Sequence, residues 1–250
     1  MQISTPTPQV ENIIIKADQN RLIASLTQQT KQELVNFSRL ERFEKGEVIE
    51  TQGRSSENVF FILSGLLISI FEGTDGTGIA NAMRGPEAAY GAISSGNSTA
   101  LPATSTGRVI TQMPTELLVI SKNNFSGILM KSNDLLRVIL AHAAEVVRNH
   151  EVTLNCSRHH TVDRRLAHLL TVLGFYNDSY EIPTTHSELG EILGVRRESI
   201  STAVSEYEKN NLIEMSRGRI IITNIGRLEN LACECHQELL RLQAKKNSHS

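Results

Sequence analysis

The sequence predicts an α+β chain: an antiparallel β-roll, a long helix, and a small helical unit closed by a two-stranded hairpin. Three observations carry this. Short apolar runs punctuated by glycine fill the stretch from Phe43 to Ser121. Paired apolar stripes at helical spacing follow from Ser132 to Ser157. Two more helical stretches are then separated by Gly194. A chain of 250 residues, 40% hydrophobic and 21% charged, reads as globular and is long enough for two ordinary domains. No run approaches the roughly 18 apolar residues of a bilayer span. The start of the chain lacks the basic-then-apolar pattern of a secretory signal, so a cytoplasmic location is expected. Cys156, Cys233 and Cys235 are too few for a disulfide framework. A formal charge of -2 names no partner, and a nucleic-acid binder of this charge would have to concentrate its arginines locally.

Taken in order, residues 1–19 are polar, contain two prolines and lack sustained periodicity, which predicts a flexible arm. A β-roll domain is expected over 20–131. It opens with helical spacing through Leu22, Leu26, Leu34 and Phe37. Strands are expected at Val48-Ile49, Val59 to Leu63, Leu66 to Phe71, Val109-Ile110 and Leu117 to Ile120. The helix over 132–157 carries one stripe through Leu135, Ile139, His142, Val146, Asn149, Thr153 and Cys156. A second runs beside it through Leu136, Leu140, Ala143, Val147, His150 and Leu154. Two stripes mean two covered faces, one against the roll and one against a partner helix. The dimer seam is expected at Leu135, Ile139, His142, Val146, Asn149 and Thr153, with the polar members fixing register. Residues 158–228 form the helical unit, and 229–250 a last helix, from Ile225, with a polar tail.

The stretch from Thr185 to Thr223 is the most informative. Thr185 and Glu188 have the spacing of a capping box. Leu189, Ile192 and Leu193 form the inner face of a first helix, and Gly194 permits a sharp turn. A second helix follows from Arg196 to Asn210, with Ile200, Ala203, Val204 and Tyr207 inward. Helix, glycine turn and helix is the arrangement that seats a second helix in a DNA major groove. Its first exposed turn carries Arg196, Arg197, Glu198, Ser201 and Thr202. Arginine can bond guanine O6 and N7 together, and glutamate accepts from the cytosine amine. Thr185 and His186 lie at the start of the first helix. Arg217 and Arg219 flank Gly218 at the tip of a two-stranded wing, within reach of phosphate. Residues 158–227 hold nine Lys/Arg and nine Asp/Glu, so the argument for DNA is local rather than global.

With these residues in view, the chain resembles the Crp/Fnr family of bacterial transcription regulators. The resemblance is carried by Phe43-Glu44-Lys45-Gly46-Glu47-Val48-Ile49 with Gln52-Gly53, by Val59 to Gly65, and by Cys156 to Ala167. Gly194-Val195-Arg196-Arg197-Glu198-Ser199-Ile200 and Leu231-Ala232-Cys233-Glu234-Cys235 complete it. It implies a cyclic-nucleotide-binding-like jelly-roll sensor, a dimerisation helix and a C-terminal winged helix-turn-helix. It also implies a homodimer on a near-palindromic promoter site, double-stranded DNA as partner and RNA polymerase as a further one. Arg197 and Glu198 match the family's base-reading pair and Ser201 a contacting position. Thr202 stands where many relatives carry a second arginine.

In nucleotide-binding relatives a Gly-Glu turn and an Arg-Ser pair hold the ligand. Matching Gly91 to the end of that turn puts Ala89 at the glutamate position and Leu101-Pro102 near the arginine. Matching Gly85-Pro86-Glu87 instead keeps a glutamate, but no arginine follows until Arg108. Neither register restores the set, which argues against cyclic AMP. The expected effector lining is Glu87, Tyr90, Gly91, Ala92, Ser94, Ala103 and Thr104. His142 and His150 leave haem or another effector open. No cysteine precedes Cys156, against an iron–sulfur cluster held near the N-terminus. Cys233-Glu234-Cys235 is a C-x-C pair without partners at metal-ligand spacing, so packing cysteines and no metal site are expected. There is no nucleophile–base–acid set, Walker loop or HExxH, so an enzyme is not expected. The alternative is a small-molecule, haem or redox sensor with a vestigial DNA domain.

Overall fold

The computed structural model describes residues 8–237, apart from 55–56, 75–76, 94–104, 106 and 236. Two compact units divide the chain: residues up to 68 with 83–146, and 69–82 with those from 147 onward.

The first unit opens with α1 (Pro8–Ala17), α2 (Arg21–Ala24) and α3 (Gln28–Asn36). The flexible arm expected over 1–19 is corrected for its described part, because Ile14 and Ala17 of α1 are buried in the core; residues 1–7 lie outside the described residues. Buried Asn20 explains the sharp start of α2. Its Oδ1 accepts from the Leu22 and Ile23 amides, and its Nδ2 donates to the Ile62 and Ala88 carbonyls. Eight strands follow along the chain, β4 and β5 running largely through 69–82: β1 (Ser38–Phe43), β2 (Val48–Glu50), β3 (Asn58–Ser64), β4 (Leu67–Glu72), β5 (Gly78–Arg84), β6 (Ala89–Tyr90), β7 (Arg108–Thr111) and β8 (Thr115–Ser121). They form two four-stranded sheets, ordered β1-β8-β3-β6 and β2-β7-β4-β5. Strand β3 is an unbroken apolar run because both its faces are covered. Val59, Phe61 and Leu63 pack with the helices, while Phe60 and Ile62 meet Leu67, Val109, Leu117 and Val119 from both sheets. Gly65 turns β3 into β4 at φ 84°. A Cβ there would lie 2.6 Å from the Pro114 carbonyl, so no other residue fits.

Helices α4 (Lys122–Leu129) and α5 (Asn133–His159) follow. The dimer seam expected along α5 is also corrected. Leu135, Ile139 and His142 are buried within the chain itself, the two aliphatic residues in the core with α1, α3 and β3. Val146, Asn149 and Thr153 are half-buried. The neighbouring stripe is the bare one: Leu136, Leu140, Val147 and Leu154 are 43–61% exposed.

In the second unit, α5 is followed by α6 (Val162–Asn177), β9 (Glu181–Pro183), α7 (His186–Leu193), α8 (Arg197–Lys209), β10 (Ile213–Ser216), β11 (Arg219–Ile222) and α9 (Ile225–Leu231). The strands form one sheet in the order β10-β11-β9. The last helix expected from Ile225 is interrupted after Leu231, and its reach beyond residue 237 lies outside the described residues. Ala232 is extended there, with φ -59° and ψ 154°. Among the described residues no helix is long and apolar enough to cross a membrane.

Candidate nucleic-acid interface

The turn between α7 and α8 is built from local chemistry. The Thr185 hydroxyl accepts from the Glu188 amide, and the Glu188 carboxylate accepts from the Thr185 amide at 2.8 Å, closing the capping box. Gly194 sits in the left-handed region at φ 63° and ends α7. Gly190 is needed for a different reason. A Cβ on it would lie 2.9 Å from the Val195 carbonyl, where the chain folds back across the helix. Arg165 of α6 donates to the Leu193 carbonyl at 2.5 Å, satisfying a group at the end of α7 that the helix itself cannot pair.

Helix α8 buries Ile200, Ala203, Val204 and Tyr207 and keeps its other side in solvent. Arg196 at the N-cap, Arg197, Glu198 and Thr202 are exposed, and Ser201 and His186 are half-buried. The structure thus brings the expected reading residues onto one bare turn. Two of them are already engaged. Ser201 Oγ donates to the Arg197 carbonyl at 3.1 Å and lies 2.9 Å from His186 Nδ1, which fixes its rotamer. Thr202 Oγ1 donates to the Glu198 carbonyl at 3.0 Å, turning the hydroxyl inward to the helix. In the wing, Gly218 has φ 75°, Arg217 is exposed, and Arg219 Nη1 pairs with Glu181 Oε2 at 3.1 Å. Arg217 and Arg219 therefore differ: one is held against β9, the other projects at the tip.

In the roll, the expected effector lining separates. Ser94, Ala103 and Thr104 lie outside the described residues. Ala92 is corrected: it is buried in the core that packs with the helices and does not face the roll interior. Gly91, at φ 80°, presses its backbone against the Asn58 carbonyl. Tyr90 does face inward, with its hydroxyl 2.9 Å from Ser105 Oγ, and Glu87 Oε1 accepts from the Gly85 amide. Around Tyr90 the fold gathers groups that sequence spacing missed. Burial raises the Glu50 carboxyl above the usual range, while Lys122 and the Tyr90 and Ser105 hydroxyls oppose the rise. Burial lowers the Arg84 guanidinium, against the pull of Tyr90 and Glu87, and its Nε is buried without a partner.

The cysteines were also read too narrowly. Cys156, His160, Cys233 and Cys235 offer ligand atoms that all lie within 4.8 Å of one another, so the C-x-C pair has partners after all. Cys156 and Cys233 sulfurs are 3.4 Å apart. Accepting from Cys156 pulls the Cys233 thiol down, and His168 and His160 add to this.

Comparison with known proteins bears on the whole chain. Residues 164–231 match the model of the Crp-like helix-turn-helix domain, and residues 40–132 that of the cyclic nucleotide-binding domain. No curated protein matches the sequence. Among solved structures, a transcriptional regulator assigned to the Crp/Fnr family from Eubacterium rectale superposes with a TM-score of 0.68 at 20% identity. The match covers 86% of this chain and 98% of that one. FixK2 from Bradyrhizobium japonicum gives 0.63 at 18% identity, over 78% and 98% of the two chains. The c-di-GMP responsive global regulator CLP from Xanthomonas campestris gives 0.65 at 14%, over 78% and 99%. These similarities are of fold. With both domain models matched in the order the fold displays, the chain belongs to the Crp/Fnr family of transcriptional regulators and carries a helix-turn-helix DNA-binding domain.

Proposed function

We propose that the chain regulates transcription as a homodimer that reads a near-palindromic site through α8, one recognition helix per half-site. The observation that carries this is the bare first turn of α8. Arg197 and Glu198 stand exposed on a helix whose opposite face is locked into the domain by Ile200, Val204 and Tyr207. Arginine bidentate to guanine and glutamate accepting from cytosine would read adjacent bases. With its hydroxyl turned to the backbone, Thr202 offers a methyl group suited to apolar contact with thymine. Arg217 supplies a phosphate contact that positions the domain without specifying sequence. The bare stripe Leu136, Leu140, Val147 and Leu154 supports association with a second copy, which would set two α8 helices roughly 34 Å apart.

The sensor, in this reading, answers to an effector other than cyclic AMP. A cyclic phosphate needs a cation or a nest of amides. Arg84 is such a cation beside Tyr90, yet Glu87 acts directly on it and Glu50 acts on the same tyrosine. With Glu87 already acting on it, the Arg84 guanidinium offers less positive potential to a further anion. A ligand offering both donors and acceptors suits this setting better.

Selection from a randomised DNA library should enrich a two-fold symmetric site. The double substitution Arg197→Ala, Glu198→Ala should abolish that enrichment, at about 1–3 kcal/mol per half-site for a lost bidentate contact. Retained selectivity in the double variant would refute the assignment.

A further inference from the structure

We propose that Cys156, His160, Cys233 and Cys235 form a closed tetrahedral site for one zinc ion, holding the chain after α9 against the end of α5. This stands apart from the DNA reading, since none of the four residues lies on α8 or the wing.

The geometry decides between a single ion and a cluster. Zinc binds thiolate at about 2.3 Å and imidazole at about 2.0–2.1 Å, so neighbouring ligand atoms of a tetrahedron sit about 3.5–3.8 Å apart. Cys156 Sγ is 3.4 Å from Cys233 Sγ, and Cys235 Sγ is 3.7 Å from His160 Nδ1, with all four atoms inside 4.8 Å. In a polynuclear iron–sulfur cluster the cysteines are shared among different irons, which spreads their sulfurs beyond this limit. Three thiolates and one imidazole in tetrahedral reach are a zinc donor set.

The surroundings fit the same reading. His160 turns Nδ1 toward Cys235 and Nε2 toward Glu234 Oε1 at 3.1 Å. A carboxylate on the far nitrogen holds that proton and leaves Nδ1 as the lone-pair donor, the arrangement that orients histidine on a metal. Arg164 in turn bonds Glu234 Oε2 at 3.1 Å. Asn155 Nδ2 donates to Cys235 Sγ at 3.9 Å, an N–H suited to a thiolate, and His168 Nδ1 lies 4.0 Å from Cys233 Sγ. Local structure supplies the ligands in two pairs. Cys156 and His160 are one helical turn apart at the end of α5, and the extended backbone at Ala232 turns Cys233 and Cys235 in to meet them. All three sulfurs are buried, with Val152 packed over them, which closes the site to exchangeable water.

The test uses the full-length chain, purified under reducing conditions. Elemental analysis should find one zinc per chain. After chelation, added Co²⁺ should give the intense thiolate-to-cobalt absorption of a tetrahedral site, saturating at one equivalent and displaced by Zn²⁺. Glu234→Gln, on an exposed residue that is not a ligand, should weaken metal affinity by about 10- to 100-fold while the fold persists. His160→Cys should retain one metal and alter the cobalt spectrum, whereas Cys235→Ser should lose the tetrahedral spectrum. A folded wild-type chain that carries no zinc and gives no thiolate–cobalt band overturns the proposal, whether its cysteines are reduced or joined as a Cys156–Cys233 disulfide.

Discussion

His142 shows how much one side chain can decide. It is 3% exposed, its Nε2 lies 3.0 Å from the Ala89 carbonyl oxygen and 3.4 Å from the Ala89 amide nitrogen, and its Nδ1 is buried without a partner. Protonation would add an N–H with no acceptor. Burial therefore lowers its pKa to about 4, with Arg84 and Arg21 pushing the same way against the Ala89 bond. The sign follows from linkage. Between about pH 6.5 and 4 the unfolded chain binds the proton and the folded one does not, so stability is intact above 6.5 and falls as pH drops. The full loss is about 3 kcal/mol. Denaturant unfolding at several pH values should show this decline, and His142→Gln should flatten it. The residue was visible in sequence as one polar member of an apolar stripe. Its assignment to a dimer seam failed because two adjacent stripes have the same period, and periodicity does not say which one the roll covers. The cysteines failed differently: Cys156 and Cys233 are 77 positions apart, and only the break after α9 brings them together.

At the scale of elements, strands carrying an apolar run were legible, the edge strand β2 included, and strands without one were not. β2, β3, β4, β7 and β8 contain apolar runs and were expected. β1 (SRLERF) and β5 (GIANAMR) carry mostly half-buried or exposed side chains and exist because a neighbour pairs with them. Local backbone chemistry read well: the Thr185 capping box and the Gly194 turn stand where the sequence put them. The close crossing at Gly190 left no such mark. Gly190→Ala should cost about 1–3 kcal/mol, because its Cβ meets backbone rather than a movable side chain, and should weaken DNA binding by disturbing the α7–α8 turn. Gly226→Ala in α9 is the control. Nothing lies within 4 Å of its Cβ, so stability should rise by up to about 1 kcal/mol. Thermal or denaturant unfolding of both variants, with a gel shift, checks the contrast.

At the scale of the whole molecule, the bare stripe on α5 is the face through which the proposed dimer would associate. Leu140 is 61% exposed and touches no core, so Leu140→Glu should leave each chain folded. It should convert the dimer to monomer by sedimentation and lower affinity for a two-half-site DNA far more than for a single half-site. A dimeric Leu140→Glu chain would move the seam elsewhere. The order of the domains and the exposed first turn of α8 were legible because helix periodicity, glycine turns and exposed arginines are local signals. The bare face of α5, the polar groups around Tyr90 and the meeting of Cys156, His160, Cys233 and Cys235 were not, since each depends on which distant segments meet.

The bond from His142 to Ala89 has a mechanical consequence. It joins the two-residue strand β6 to the middle of a 27-residue helix, with no side-chain slack at the strand end because the partner is backbone. A displacement of Ala89 must drag α5 with it or break the bond. An occupant of the roll that leaves Ala89 in place has no leverage through this link, while one that shifts it by half an ångström or so works directly on the helix that bears Leu140 and Val147. In the proposed sensor, recognition and transmission would thereby be separate questions, the second turning on the position of the Ala89 peptide groups.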